Sequence, residues 1–138
     1  MRLLVCDDHR LLLDALSMAL TDKGHTVVAT ALDPDEAVEA ARTHKPDVCL
    51  LDVNFPHANG LSAIGRIHEV SPDTKVVMLS GSVNRNLVAD AISEGAHGFV
   101  GKEKPVGVIN RGARAGASRT ACGGSGDAAG GYAASHPA

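Results

Sequence analysis

The feature that most constrains the fold of this chain is an alternation, repeated five times, of short apolar runs with longer segments of helical period. The apolar runs are rich in Val and Leu and are bounded by Asp, Gly, Pro or Ser, which is typical of buried strands. The predicted strands are Leu3–Cys6, Thr26–Ala29, Val48–Leu51, Val76–Leu79 and Gly98–Val100. Such an alternation with short connections predicts an α/β fold, in which a doubly wound, five-stranded parallel sheet carries helices on both faces.

The segments between the predicted strands carry helical patterns. Leucine and alanine residues within positions 11–20 form an i, i+3, i+4 stripe, and the segment stops at Gly24, a suitable C-terminal residue. The second helix is expected to begin after Asp33, which can cap it, with Pro34 in the first helical position. The remaining helices are predicted at Leu61–Val70, at Asn84–Glu94 and from about Pro105 onward.

The last part of the chain differs in composition from the rest. Residues 114–138 are crowded with Gly, Ala and Ser and have no hydrophobic period, so they cannot bury enough surface to offset the entropy of ordering. We therefore expect one domain at residues 1–113 and a disordered tail at residues 114–138. The weakest element is the fifth helix, because each of its three glycines costs about 1 kcal/mol relative to alanine. If this helix fails to pack, one face of the sheet is exposed and self-association is expected.

Composition and charge argue against several classes of function. The formal net charge of −3 and the lack of clustered Lys and Arg argue against a nucleic-acid-binding face. The three cysteines have no spacing typical of zinc sites, and Cys6 and Cys49 lie inside apolar runs, where they are expected to be buried. The first residues become acidic too quickly for a signal peptide, and no apolar run is long enough to span a bilayer, which predicts a cytoplasmic location.

Polar residues follow four of the five predicted strands, at the sheet edge where parallel α/β proteins place their sites. They are Asp7 and Asp8 after the first strand, Asp52 after the third, Ser80 after the fourth and Lys102 shortly after the fifth. Three carboxylates repel one another unless a cation neutralises them, and an oxygen-rich set without cysteine suits Mg²⁺. Asp52 could then accept a phosphoryl group as a carboxylate nucleophile. Lys102 would offset charge on the phosphoryl oxygens, and Ser80 would donate a hydrogen bond to one of them.

These residues lie in motifs that resemble the receiver domain of two-component response regulators, from about Arg2 to Lys104. The acidic pair in VCDDH, the acceptor loop LLDVNFPHANGL, the switch strand MLSGS and the segment GFVGKE are similar to the family's motifs. One departure is that Glu103 and Lys104 stand before Pro105, where the family has proline directly after the lysine. The segments DDHRLLLDALSMAL and GAHGFVGKE resemble the NarL/FixJ (LuxR-type) subgroup, and no later segment shows the helical pattern of that subgroup's DNA-binding domain.

The resemblance implies a flavodoxin-like receiver fold and a phosphorylation switch rather than an enzyme. A sensor histidine kinase would donate a phosphoryl group to Asp52. The implied Mg²⁺ ligands are Asp8, Asp52, the backbone carbonyl of Asn54 and, through water, Asp7. Ser80 would move toward the phosphoryl group and Phe99 would change rotamer, which remodels the face formed by helix four, strand five and helix five. The implied output is transcription, and family members often form homodimers through this face or through helices one and five.

Three other classes of protein share part of this pattern. A phosphohydrolase of the haloacid dehalogenase type also uses an Asp nucleophile and Mg²⁺, but it has a second Asp where this chain has Asn54. A flavin carrier would need a Ser/Thr/Gly-rich phosphate-binding loop after strand one, and this chain has Asp7 and Asp8 there instead. A degenerate receiver would act only as a protein-binding module, which the complete set of acids, hydroxyl and lysine argues against. His9 could be mistaken for a metal ligand, but its expected role is to open helix one.

Overall fold

The computed structural model describes residues 1–56, 58–81, 85–102, 106–117 and 131–133. Five parallel strands form the sheet in the order β2-β1-β3-β4-β5, which confirms the predicted fold. They are β1 (Arg2–Cys6), β2 (Thr26–Ala31), β3 (Val48–Asp52), β4 (Lys75–Ser80) and β5 (Gly98–Gly101). A sixth strand, β6 (Gly131–Ala133), pairs antiparallel with β5 at the sheet edge. A separate two-residue ribbon pairs Asn54–Phe55 with Ala58–Asn59.

Five helices cover both faces of the sheet. Successive residues of each strand point to opposite sides, so the apolar strands present side chains on both faces, and helices pack against each face. They are α1 (Arg10–Asp22), α2 (Pro34–His44), α3 (Leu61–Val70), α4 (Arg85–Ser93) and α5 (Val106–Ala117). Leu3 and Val5 pack in one core with residues of α1 and α5, whereas Leu4 and Cys6 pack in the other with residues of α2, α3 and α4. Cys6 and Cys49 are buried free thiols, as predicted, and burial raises the pKa of both.

The predicted helix ends are confirmed where the chain offers a specific residue for them. Asp33 caps α2 by accepting a hydrogen bond from the backbone N–H of Glu36 over 2.8 Å, and Pro34 takes the first helical position. Gly24 follows α1 with a φ of +94° and Gly95 follows α4 with a φ of +106°, a region that glycine adopts without steric cost. These residues fix where each helix turns back toward the next strand.

Helix α5 packs against the sheet, so the condition under which a sheet face would be exposed is not met. Ile109 and Ala113 are buried in the same core as Val100. An ideal Cβ on Gly112 would lie 2.3 Å from Cγ2 of Val100, and one on Gly116 would lie 2.5 Å from Cγ2 of Val77. These two glycines therefore permit a close approach of helix to sheet. This packing removes the basis for the predicted self-association.

The C-terminal part also differs from expectation. Helix α5 continues to Ala117, beyond the predicted domain end at residue 113, and residues 131–133 form β6. The rest of the predicted tail, residues 118–130 and 134–138, lies outside the described residues, as do Asn84, at the predicted start of α4, and Pro105. Within the described part of the chain, no helix has the length and apolar character needed to cross a membrane.

Candidate functional site

The polar residues that follow the strands converge at the carboxyl edge of the sheet. Nζ of Lys102, after β5, lies 2.8 Å from Oδ2 of Asp7, after β1, and 3.2 Å from Oδ2 of Asp52, at the end of β3. One ammonium group thus bridges carboxylates from two other strands. The sequence predicted that these groups would meet, and the structure brings them within contact distance.

Backbone hydrogen bonds hold these side chains in place, because the strand pairing continues one residue past the strands. The N–H of Val53, directly after Asp52, donates to the carbonyl of Leu79 over 3.0 Å. The N–H of Lys102 donates to the carbonyl of Ser80 over 2.7 Å. The positions of Asp52 and Lys102 are therefore set by the ends of β3, β4 and β5 rather than by free loops.

Asp7 and Asp52 are both buried, with 0% and 2% of their surface exposed. Oδ1 of Asp7 accepts a hydrogen bond from the backbone N–H of His9 over 2.8 Å, and Oδ1 of Asp52 accepts one from the N–H of Asn54 over 3.3 Å. Oδ2 of Asp7 accepts no well-directed hydrogen bond within the described residues, and its contact with Lys102 is an ion pair. The inner part of the site therefore holds two buried carboxylates and one partly buried ammonium.

This charge arrangement shifts the acidity of both partners. Burial raises the pKa of Asp52, and the neighbouring Asp7 raises it further, while Lys102 acts in the opposite direction without cancelling the shift. Burial tends to lower the pKa of Lys102, but the two carboxylates outweigh it and the net pKa is raised. Lys102 therefore stays charged at neutral pH, and the site carries an excess of negative charge.

Asp8 and His9 lie at the rim of the site. The side chain of Asp8 is 30% exposed, and Nδ1 of His9 is 4.0 Å from its Oδ1. Asp7, Asp8 and His9 offer ligand atoms within 4.8 Å of one another, a group that does not include Asp52. His9 occupies the N-cap position of α1, in agreement with its predicted role, and its carbonyl accepts from the N–H of Leu13. The carboxylate oxygens are the donors in this group that suit a hard cation.

Gly60 supports the backbone of Asp52, a role that the sequence did not reveal. Its N–H donates to the carbonyl of Val53 over 2.6 Å, and an ideal Cβ on Gly60 would lie only 2.0 Å from the backbone oxygen of Asp52. Its φ of −58° is ordinary for any residue, so space rather than conformation requires glycine here. In the sequence, Gly60 is only the residue that precedes the predicted helix Leu61–Val70.

The two predicted switch residues are both buried. Ser80 ends β4 with no exposed surface, in register with Gly101 of β5. Phe99 lies in the middle of β5, is 2% exposed and packs in the core on the side of α2, α3 and α4. In this conformation Phe99 is a core residue, and the hydroxyl of Ser80 stands at the carboxyl end of its strand.

Comparison with known proteins decides the family. Residues 3–110 match the family described as "Response regulator receiver domain". The chain is a receiver domain of this family. The receiver is 33% identical over 101 residues to the chemotaxis protein CheY of Thermotoga maritima, covering 73% of this chain and 84% of that protein. It is 35% identical over 107 residues to the oxygen regulatory protein NreC of Staphylococcus epidermidis, covering 76% of this chain and 49% of that one.

A further relative is a much longer protein, of which this chain matches only a part. The chain is 40% identical over 110 residues to a protein-glutamate methylesterase/protein-glutamine glutaminase of Natronomonas pharaonis, covering 78% of the chain and 30% of that protein. The receiver thus spans about a third to a half of the length of this relative and of NreC. Matches to CheY, NreC and the methylesterase leave the NarL/FixJ subgroup undecided.

Solved structures agree with the fold. The receiver domain of the putative response regulator NarL from Mycobacterium tuberculosis superposes with a TM-score of 0.73 at 30% identity, covering 82% of this chain and 95% of that one. A response regulator protein from Burkholderia pseudomallei, with a phosphorylated aspartic acid and a calcium ion, superposes with a TM-score of 0.77 at 26% identity. It covers 85% of this chain and 68% of that one.

Proposed function

We propose that this receiver domain is a phosphoacceptor and that Asp52 takes a phosphoryl group from a sensor histidine kinase. The observation that carries the proposal is the contact of Lys102 with two buried carboxylates from different strands. A solvated surface lysine would not be held between two buried acids. The phosphorylated aspartic acid in the related Burkholderia pseudomallei response regulator supports the same chemistry here.

The transfer is a displacement at phosphorus. A carboxylate oxygen of Asp52 forms the new P–O bond, the P–N bond of the phosphohistidine breaks, and the imidazole leaves with the electron pair of that bond and takes up a proton. Lys102, 3.2 Å from Oδ2 of Asp52, is placed to offset charge on the transferring oxygens. The backbone N–H of Asn54, which donates to Oδ1, keeps the carboxylate group oriented.

The acidic residues fit a bound Mg²⁺. We assign Asp8, Asp52 and the backbone carbonyl of Asn54 as its ligands, with Asp7 acting through water. The fit rests on the chemistry of the donors, which are oxygen atoms, and on the buried Oδ2 of Asp7, which accepts no well-directed hydrogen bond within the described residues. When bound, the ion supplies positive charge to the phosphoryl oxygens and so lowers the barrier to transfer.

We propose that phosphorylation is read out through β5. Ser80 donates its hydroxyl to a phosphoryl oxygen, and Phe99 changes rotamer, which alters the face formed by α4, β5 and α5. The backbone hydrogen bond between Lys102 and Ser80 supports this route, because it joins the ends of β4 and β5 beside the acceptor. In such a switch, the charge added at Asp52 shifts the equilibrium between two packing arrangements of the face formed by α4, β5 and α5.

The output that we propose is control of transcription from a cytoplasmic receiver of the NarL/FixJ type. The similarity to NreC and to the NarL receiver supports this subgroup. The competing outputs are those of CheY and of the methylesterase, whose receivers are similar to this one to a comparable degree. The test is a fusion of the chain to the DNA-binding domain of an NreC-type regulator. DNA binding by the fusion that depends on phosphorylation would support control of transcription. Binding that ignores phosphorylation would count against it.

Helix α1 offers a surface on which a kinase helix can pack. Leu11 and Met18 are 86% and 70% exposed and stand seven residues apart, so they lie on the same face of α1, the helix that begins after His9 at the site rim. Exposed large apolar side chains in this arrangement are typical of a protein-binding surface. We propose that the sensor kinase docks here and so places its phosphohistidine at Asp52.

The experiment that tests the phosphoacceptor is incubation with Mg²⁺ and acetyl phosphate, followed by mass spectrometry of the intact chain. The expected result is the addition of one phosphoryl group in the wild type and in Asp14→Asn, an exposed acid of α1 that serves as control, but not in Asp52→Asn. Steady turnover of phosphate esters would instead support a phosphohydrolase. No addition, together with no response to beryllofluoride, would support a receiver that acts only as a binding module.

A further inference from the structure

The two edges of the sheet differ in how they are protected from pairing with another strand. At one edge, the pairing of β2 with β1 shifts register between Leu3 and Leu4, an irregularity that disfavours addition of a further strand. At the other edge, β5 has the sequence Gly-Phe-Val-Gly, with no charge and no proline. Nothing in the sequence of β5 itself opposes pairing with an edge strand of another molecule.

In this chain the β5 edge is covered by its own C-terminal segment. The antiparallel register pairs Gly98 with Ala133, Phe99 with Tyr132 and Val100 with Gly131. Strand β6 also lies against α5, so it contacts two elements of the domain. Strand β6 lies beyond residue 110, where the family match ends.

The connection is long enough for this pairing to form within one chain. Gly116, near the end of α5, lies by the carbonyl of His97 at the start of β5, and Gly131 is paired at the other end of β5 with Val100. The separation along β5 is on the order of 10 Å. Residues 118–130 can reach up to roughly 40 Å when extended, so the strand can return without strain.

We propose that Gly131–Ala133 is an edge cap, which pairs with β5 of its own chain and prevents edge-to-edge association of two copies. The surface it covers is a strand-addition site, at which backbone N–H and C=O groups provide the attraction. The strand is three residues long and covers the edge through backbone pairing. The proposal does not require phosphorylation at Asp52, because it rests on strand pairing, but β6 lies on the face formed by α4, β5 and α5 through which the readout is proposed.

The test uses the full chain with two prolines in β6. Consecutive residues of a strand direct their N–H groups to opposite sides, so Tyr132→Pro/Ala133→Pro removes the donor that faces β5 whichever of the two it is. The matched control is Ala134→Pro/Ser135→Pro, which introduces the same number of prolines beyond the strand. Far-ultraviolet circular dichroism should show the same fold in all three proteins.

Two measurements decide the proposal. Hydrogen exchange at those amides of β5 whose N–H groups face β6, measured at low concentration, should speed up at least about tenfold in the β6 variant and remain slow in the wild type and the control. The amides of β5 that donate to β4 should stay slow in all three proteins. Sedimentation velocity should show that the β6 variant self-associates at least about tenfold more tightly than the other two. A variant that stays as monomeric as the wild type would overturn the proposal. A wild-type dimer that the β6 prolines dissociate would also overturn it, since β6 would then pair between chains.

Discussion

Gly60→Ala tests how the fold positions the acceptor. An ideal Cβ on this residue would lie 2.0 Å from the backbone oxygen of Asp52, whereas Cβ atoms essentially never come closer than 3.0 Å to another atom. The start of α3 or the backbone of Asp52 must therefore move by about 1 Å. Overpacking that forces backbone shifts typically costs about 1–3 kcal/mol, and here the atoms that shift belong to the acceptor itself.

Gly65→Ala is the matched control, because it makes the same chemical change in α3 at a position with no atom within 4 Å of the new Cβ. Alanine is favoured over glycine inside a helix by about 1 kcal/mol, so this variant should be more stable than the wild type. Urea unfolding should therefore separate the two variants by about 2–4 kcal/mol. Phosphorylation by acetyl phosphate should be up to about a hundredfold slower in Gly60→Ala, as expected for a 1 Å displacement of a reacting group, and unchanged in Gly65→Ala.

Two results would refute this reasoning. If Gly60→Ala and Gly65→Ala were equally stable, the close contact with Asp52 would carry no energetic weight. If Gly60→Ala lost stability but was phosphorylated at the wild-type rate, the contact would serve the fold alone. The ordinary φ of Gly60 removes a third explanation, because alanine adopts that backbone conformation without strain.

Three further predictions concern charge, pH and docking. Lys102→Met leaves two buried carboxylates without their ammonium, so it should lower the free energy of unfolding by about 3 kcal/mol at pH 7, and Mg²⁺ should restore part of the loss. The control Lys23→Met changes an exposed lysine and should have little effect. A urea midpoint that does not change in Lys102→Met would contradict the stabilising role of the Lys102 ion pairs. Burial, with smaller effects of Lys75 and His68, lowers the pKa of His97 to about 4, so the unfolded chain takes up the proton first as the pH falls. The free energy of unfolding of the wild type should fall by up to about 3 kcal/mol between pH 6.5 and 4, and that of His97→Asn should fall by less. Parallel plots of the unfolding free energy against pH for the two proteins would contradict this. Leu11→Asp should slow phosphotransfer from the kinase but not from acetyl phosphate, a difference that a folding defect would not produce.

The strands and the site edge could be predicted because they depend on local patterns. Four of the five predicted strands are buried on both faces, so their apolar runs stand out from the amphipathic helices around them, whereas the edge strand β2 is only partly buried. The observed strands contain all five predicted runs. Once the sheet is parallel, the residues after the strands must share one edge. The contact of Lys102 with Asp7 and Asp52 follows from that geometry, although these residues are far apart in the chain.

The features that escaped prediction depend on packing between distant residues. The glycines of α5 count against a helix when each is scored alone, but Gly112 and Gly116 lie where Val100 and Val77 leave no room for a side chain. Tertiary contact therefore outweighs helix propensity. The composition of residues 131–133 gives no strand pattern, and β6 exists because the edge of β5 provides a partner.

The charges at the strand ends suggest how chemistry at Asp52 reaches β5. Asp7 and Asp52 share one ammonium, and the resulting excess of negative charge acts with burial to raise the pKa of Asp52. A phosphoryl group on Asp52 would add about two negative charges at the same place, so Lys102 would be drawn from Asp7 toward the new oxygens. The backbone N–H of Lys102 donates a hydrogen bond to the carbonyl of Ser80, and Lys102 directly follows β5. A movement of Lys102 would therefore act on the strand itself. The output face would then respond to the redistribution of one positive charge rather than to a large motion of the acceptor loop.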